Sequence, residues 1–181
     1  SYYLYDNKNN EIFNNYSWVS LEEISPYLID ATLSTEDKHF YNHIGFDYLR
    51  IAKAIFKNIA SGSLSEGAST ITQQYAKNLY LTYDKTWKRK IEEAILAFEL
   101  ETHYTKDEIL EGYLNTINYG GVFGIENASQ YYFNKSAKDL NLAEASMLAG
   151  IPQSPSNYSP LYNEAKINVK SVIDFKSEKL T

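Results

Sequence analysis

Residues 34–47 read STEDKHFYNHIGFD, with adjacent carboxylates at Glu36 and Asp37 followed by His39 and His43. Such a set can bind a metal, move a proton, or merely decorate the solvated end of a helix. The two histidines stand four apart, the spacing of a helical zinc pair, but HFYNH lacks a glutamate after the first histidine, and the remaining histidine, His103, belongs to a different helix. No metal site is therefore expected there, and His43 is expected to hydrogen-bond and fix the turn ahead of Gly45. The proton-moving reading depends on burial, because desolvation favours the protonated carboxyl and so makes a carboxylate a stronger base.

A second acid pair lies in TWKRKIEEAILAFELETHY. At helical spacing, Trp87, Ile91, Ala94, Ile95 and Phe98 form its main apolar stripe. Leu96, Ala97 and Leu100 make a second patch, which Arg89 and Glu93 continue. Glu92 falls on the polar side with Lys88 and Glu99. Glu93 therefore either lines a cleft or forms a surface pair with Arg89, worth about 0.3–0.5 kcal/mol.

Lys77, Lys85, Lys88, Arg89 and Lys90 crowd together in a chain whose net charge is -6. They read as a solvated face or as a local anion site. In STITQQYAKN, Ile71, Tyr75 and Leu79 face inward, while Thr70, Gln73, Gln74 and Lys77 share the other side. Hydroxyl, amide and ammonium groups near a helix N-terminus suit a sugar linked to phosphate.

The elements that must carry these groups are mostly helical. In a helix near 26–40, Ile29, Leu33, Glu36 and Phe40 share one stripe, which puts Glu36 where a core residue belongs and leaves Asp30 off the line. Helices are predicted near 26–40, 46–60, 70–81, 86–104, 106–117, 124–133, 141–150 and 163–178. Ser25 before Pro26 is an N-cap signal, and Thr70 with Gln73, Thr105 with Glu108 and Asn141 with Glu144 have capping-box spacing. The stretch SYYLYDNKNNEIFNNYSW reads as a short N-terminal β-hairpin. In FDYLRIAKAIFKNIA, Arg50, Lys53 and Lys57 share one face, as on a membrane-surface helix or an ordinary surface helix.

The 181 residues, 44% hydrophobic, suffice for one core, so a single mainly α domain over 1–181 is expected. The acidic balance argues against nucleic acid. The chain starts at Ser1 and its one methionine is Met147, as in a fragment excised from a longer protein.

EDKHFYNHIGFD resembles the first motif of the peptidoglycan glycosyltransferases, and GASTITQQYAKNLYL resembles the second. RKIEE, KDEILEGYLNTINYG and LNLAEASMLAGIPQSPSNYSP are similar to the third, fourth and fifth, in the family's order. The family includes the glycosyltransferase domains of class A penicillin-binding proteins and the monofunctional enzymes. The resemblance implies a lysozyme-like, mainly α domain at the outer face of the bacterial membrane. It implies, as partners, lipid II (a disaccharide-peptide attached through pyrophosphate to a polyprenyl chain) and a growing lipid-linked glycan chain, and polymerisation into β-1,4-linked glycan with inversion and release of polyprenyl pyrophosphate. It makes Glu36 the general base and Glu93 the second essential glutamate, with Asp37 and His43 in support. It gives substrate binding to Lys77, Lys85, Arg89 and Lys90, with Ser69, Thr70, Gln73, Gln74 and Asn78 from the second motif. A divalent cation, magnesium or manganese, at the pyrophosphate is compatible with it, as are an attached transpeptidase domain and cell-wall assembly partners. Two departures stand out: YFNK, ending at Lys135, where members often read YFGK, and GIENASQYY in place of an alanine-rich run.

Two other functions use similar residues. A lysozyme-type hydrolase also needs two carboxylates, but has no use for the cations between 77 and 90. A glycan- or membrane-binding module without catalysis would not need both Glu36 and Glu93.

Overall fold

A computed structural model describes residues 17–45, 69–80 and 87–152. Six α-helices are found among the described residues: α1 Pro26–Glu36, α2 Ile71–Tyr80, α3 Trp87–His103, α4 Lys106–Thr116, α5 Ile125–Phe133 and α6 Leu142–Gly150. Short 3-10 turns cover Leu21–Glu23, Phe40–Asn42 and Ala137–Asp139. The protein is mainly α, as expected. The predicted hairpin and the helices near 46–60 and 163–178, with the basic face of Arg50, Lys53 and Lys57, lie outside the described residues. No described helix is long and apolar enough to cross a membrane.

Local sequence accounts for most helix ends. Thr70 and Gln73 cap α2 reciprocally: the Thr70 N–H donates to Gln73 Oε1 (3.0 Å), and the Gln73 N–H to Thr70 Oγ1 (3.2 Å). Thr105 with Glu108 does the same for α4, and Asn141 with Glu144 for α6. Pro26 opens α1 as predicted, while the Ser25 hydroxyl donates to the Leu140 carbonyl at 2.7 Å. α5 ends on Asn134 in the left-handed conformation (φ 53°). Asparagine tolerates that backbone better than other side-chain-bearing residues, which explains how YFNK can stand where the family pattern has glycine.

The chain divides into two compact units, residues 1–32 with 114–181 and residues 33–113. In the first, Ile24, Leu28, Ala31, Ile125, Leu148 and Ile151 are buried. In the second, Leu33, Phe40, Ile71, Ala76, Ala97, Ile109, Leu110 and Tyr113 are buried, and α2 packs on α3. Each large apolar side chain so enclosed contributes about 1.5–3 kcal/mol. Within this unit a Cβ on the helix-interior Gly112 would collide with the Tyr75 hydroxyl and ring, so any side chain there requires Tyr75 to move.

Three expectations are corrected. α1 stops at Glu36 instead of running to 40, because the chain tightens into a 3-10 turn, with the Phe40 N–H on the Asp37 carbonyl (3.1 Å) and the Asp37 carboxylate engaged elsewhere. On α3 the expected main stripe is the exposed one: Ile91, Ile95 and Phe98 are at least half exposed, while Glu93, Ala97 and Leu100 are buried. Both faces are apolar enough to pack, and the small Ala97 face is the one enclosed. On α2, Leu79 is exposed and Thr72 is fully buried, so the enclosed side is Ile71, Thr72 and Ala76.

Candidate active site

Every described residue singled out for chemistry falls within the unit 33–113. Glu36, the last residue of α1, is 5% exposed. Gln74, one turn into α2, donates from Nε2 to Glu36 Oε2 at 2.7 Å and accepts at Oε1 from the Tyr113 hydroxyl at 3.3 Å. The two bonds fix the amide's orientation: the tyrosine hydroxyl needs an acceptor and the carboxylate a donor. Glu36 is thus a buried acid held by a side chain that is itself held.

Asp37 is buried more deeply than Glu36, at 1% exposure. His43 Nε2 lies 3.0 Å from both of its oxygens, and Oδ2 accepts the Ile71 N–H at 3.1 Å. That N–H is one of the donors an α-helix leaves unsatisfied at its start, and a carboxylate there also suits the helix dipole. Asp37 therefore anchors the chain beside Glu36 to the first turn of α2. Gly45 closes the same turn with φ +76°, and its carbonyl accepts the Thr70 hydroxyl at 2.8 Å. The expectation that His43 fixes the turn before Gly45 agrees with this geometry. His39 is exposed, whereas His43 is engaged with Asp37.

The cations come from α2 and α3. Lys77 follows Gln74 by three residues and so shares its face. Burial is the main influence pushing the Lys77 ammonium below its usual range; Glu93 opposes it, Lys90 and Arg89 add to it, and Glu36 opposes it more weakly. Lys90 Nζ donates to Glu93 Oε1 at 2.7 Å and to Ser69 Oγ at 2.9 Å. Glu93 is 1% exposed, and its Oε2 has no hydrogen-bond partner among the described residues. Glu92 is partly exposed and Glu99 exposed, so the choice between the adjacent glutamates falls as the helical spacing predicts. The ion pair that Glu93 makes is with Lys90, three residues earlier.

Lys77 thus feels two further cations and two carboxylates, of which Lys90 and Glu93 are themselves paired. Such a cluster suits an anion that must be held while charge develops on it. No three His, Asp or Glu side chains gather as metal ligands among the described residues.

Other expected residues take quieter places. Thr70 and Gln73 are engaged in the α2 cap, and Asn78 is exposed on α2. Lys85 lies outside the described residues. Spacing did not point to Tyr113, which reaches Gln74 from 39 positions away. Nor did it point to Glu101, although Glu101 continues the Glu93–Ala97 line by one further turn, a signal present in the sequence.

Comparison with known proteins follows the same lines. The sequence model of a family described as Transglycosylase matches residues 7–175. Penicillin-binding protein 2D of Bacillus subtilis (strain 168) is 57% identical over 150 residues, covering 82% of this chain and 22% of that protein. Penicillin-binding protein 1F of the same strain is 49% identical over 149 residues, covering 82% and 21%. Penicillin-binding protein 1A of Neisseria lactamica is 49% identical over 150 residues, covering 81% and 19%. The chain spans about a fifth of the length of these relatives.

Proposed function

Because the chain belongs to the transglycosylase family, the peptidoglycan glycosyltransferase domain of cell-wall synthesis, we propose that it polymerises lipid II into β-1,4-linked glycan. In this reading, residues 1–181 form one lysozyme-like glycosyltransferase domain, and the match over 7–175, which runs through both compact units, supports it. The domain works at the outer face of the bacterial membrane, on a lipid-linked donor and a growing lipid-linked chain. An attached transpeptidase domain and cell-wall assembly partners go with the relatives' greater length.

Glu36 takes the proton from the acceptor sugar's 4-hydroxyl as that oxygen attacks the donor's anomeric carbon. One carbon–oxygen bond forms, and the bond from that carbon to the pyrophosphate breaks on the opposite face, so configuration inverts. The electron pair leaves with the polyprenyl pyrophosphate. Lys77, Arg89 and Lys90, with Lys85, stabilise the charge that collects there. Glu93 orients the cations through Lys90. Gln74 holds Glu36, Asp37 and His43 hold the turn beside it, and Ser69, Thr70, Gln73 and Asn78 frame the sugar side of the site.

The observation that carries the proposal is a buried carboxylate, Glu36, held by the same helix that supplies the partly buried Lys77. Labelled lipid II incubated with the chain tests it. The expected products are polymer and free polyprenyl pyrophosphate. Shortening of preformed glycan would point to a hydrolase, and binding without turnover to a non-catalytic module. Glu36→Gln is expected to lower polymerisation about 10³-fold while donor binding persists; near-normal turnover would remove Glu36 as the base.

A further inference from the structure

We propose that Glu101 and Lys106 are positioning residues that hold the turn behind Glu36 and Asp37, an inference that rests on Glu36 being the base. Lys106 is the first residue of α4, where a cation opposes the helix dipole. The needs of α4 therefore do not explain it. Its ammonium lies 2.6 Å from Glu101 Oε1 and 4.4 Å from the centroid of the Phe40 ring. Both side chains are largely enclosed, Lys106 at 18% and Glu101 at 6% exposure.

The same Glu101 oxygen accepts the hydroxyl of Thr72, fully buried in the first turn of α2, at 2.5 Å. One carboxylate oxygen on the last turn of α3 thus ties the start of α2 to the start of α4, and the paired ammonium passes that tie to Phe40. Phe40 is 1% exposed and hydrogen-bonds through its N–H to the Asp37 carbonyl. The next residues repeat the arrangement. The Tyr41 hydroxyl donates to Asp107 Oδ1 at 2.9 Å, and a Cβ on Gly45 would lie 3.3 Å from Glu101 Cγ. The turn 40–45 is therefore gripped along its length by the end of α3 and the start of α4. Asp37, and through it Glu36, take their place from that turn.

Displacement of a catalytic group by about 1 Å can cost up to 10²-fold in rate, so the predicted signature is a loss in kcat without a matching change in KM. Lys106→Met in the full chain should lower kcat for lipid II polymerisation about tenfold, with KM within about twofold. Lys106→Arg, which can still pair with Glu101 and stack on Phe40, should recover most of that loss. Lys106→Met leaves a buried carboxylate without its partner and should also lower the melting temperature. The double variant Glu101→Met, Lys106→Met removes both charges, so its melting temperature should return while kcat stays low. Return of kcat together with melting temperature would overturn the positioning role, as would wild-type kcat in Lys106→Met. Glu36→Gln measured alongside separates the two claims. If it is inactive while the Lys106 variants match wild type, only the positioning role falls. If it polymerises normally, the base assignment falls and takes this inference with it.

Discussion

Glu144 and Glu93 show how differently the two units use a buried or half-buried acid. Glu144, in the unit of residues 1–32 and 114–181, receives the Lys135 ammonium on both oxygens and the Asn141 N–H on one. Glu126 in the same unit takes the Ala137 N–H and the Gln130 amide. These acids close loops and caps, and their oxygens are engaged by fixed donors. In the unit 33–113, Glu93 is more deeply buried, yet one oxygen has no hydrogen-bond partner among the described residues, and the partly buried Lys77 lies in its field. Incompletely paired buried charge costs stability. A protein keeps it where a ligand or a developing charge completes the pairing, which is what the proposed transfer from a pyrophosphate donor would supply to the cations.

The sharpest way to break this contrast is Glu93→Gln. Polymerisation should fall about 10²–10³-fold, while the melting temperature holds or rises because a buried charge has gone. Glu92→Gln, the neighbouring control, should stay within about twofold, and equal losses in the two would undo the distinction. Lys77→Met comes next, with turnover down about 10²-fold and no loss of melting temperature. Its sign follows from titration: the folded-state pKa lies below 10.5, so the ammonium weakens the fold at every pH below that folded value. Any gain from the methionine should therefore fade as pH rises towards 10.5, which thermal melts across alkaline pH would reveal.

Glu144→Gln should have the smallest effect on activity, leaving turnover per folded molecule unchanged while lowering stability by about 1–2 kcal/mol at neutral pH. The Lys135 hydrogen bond first, and the Asn141 backbone bond next, hold the Glu144 carboxyl below its usual 4.5. Its contribution is therefore complete above 4.5 and lost as pH falls through the lower, folded value. Denaturant midpoints of wild type and variant should converge in acid, and a gap that persists there would contradict the origin given for it.

Much of this was legible in the sequence, and what was legible was local. The caps Thr70–Gln73, Thr105–Glu108 and Asn141–Glu144 each need only four consecutive residues. The choice of Glu93 over Glu92 needed only helical geometry. What escaped depended on distant chain. The end of α1 is set by Asp37, whose partner Ile71 is 34 residues away. The exposed Ile91–Ile95–Phe98 face belongs to a helix with two apolar sides, and periodicity cannot say which side a neighbour covers. Glu101 lay on the right line, but its meaning came from Thr72, 29 residues away, and from Gly45, with Lys106 close in sequence but on the next helix.

Gly112 and Tyr75 are a single constraint written at two places. A glycine inside a helix costs about 1 kcal/mol relative to alanine, and exchanging it is a standard route to a stiffer helix. Here the space an alanine methyl needs is already filled by the tyrosine's phenol. The exchange therefore requires the Tyr75 ring to move or residue 75 to shrink in the same step. Residue 75 adjoins Gln74, so a repair made for stability would be felt at the amide that holds Glu36. The two positions are thus coupled, and the weak residue in α4 leaves room for Tyr75 on the helix that carries Gln74.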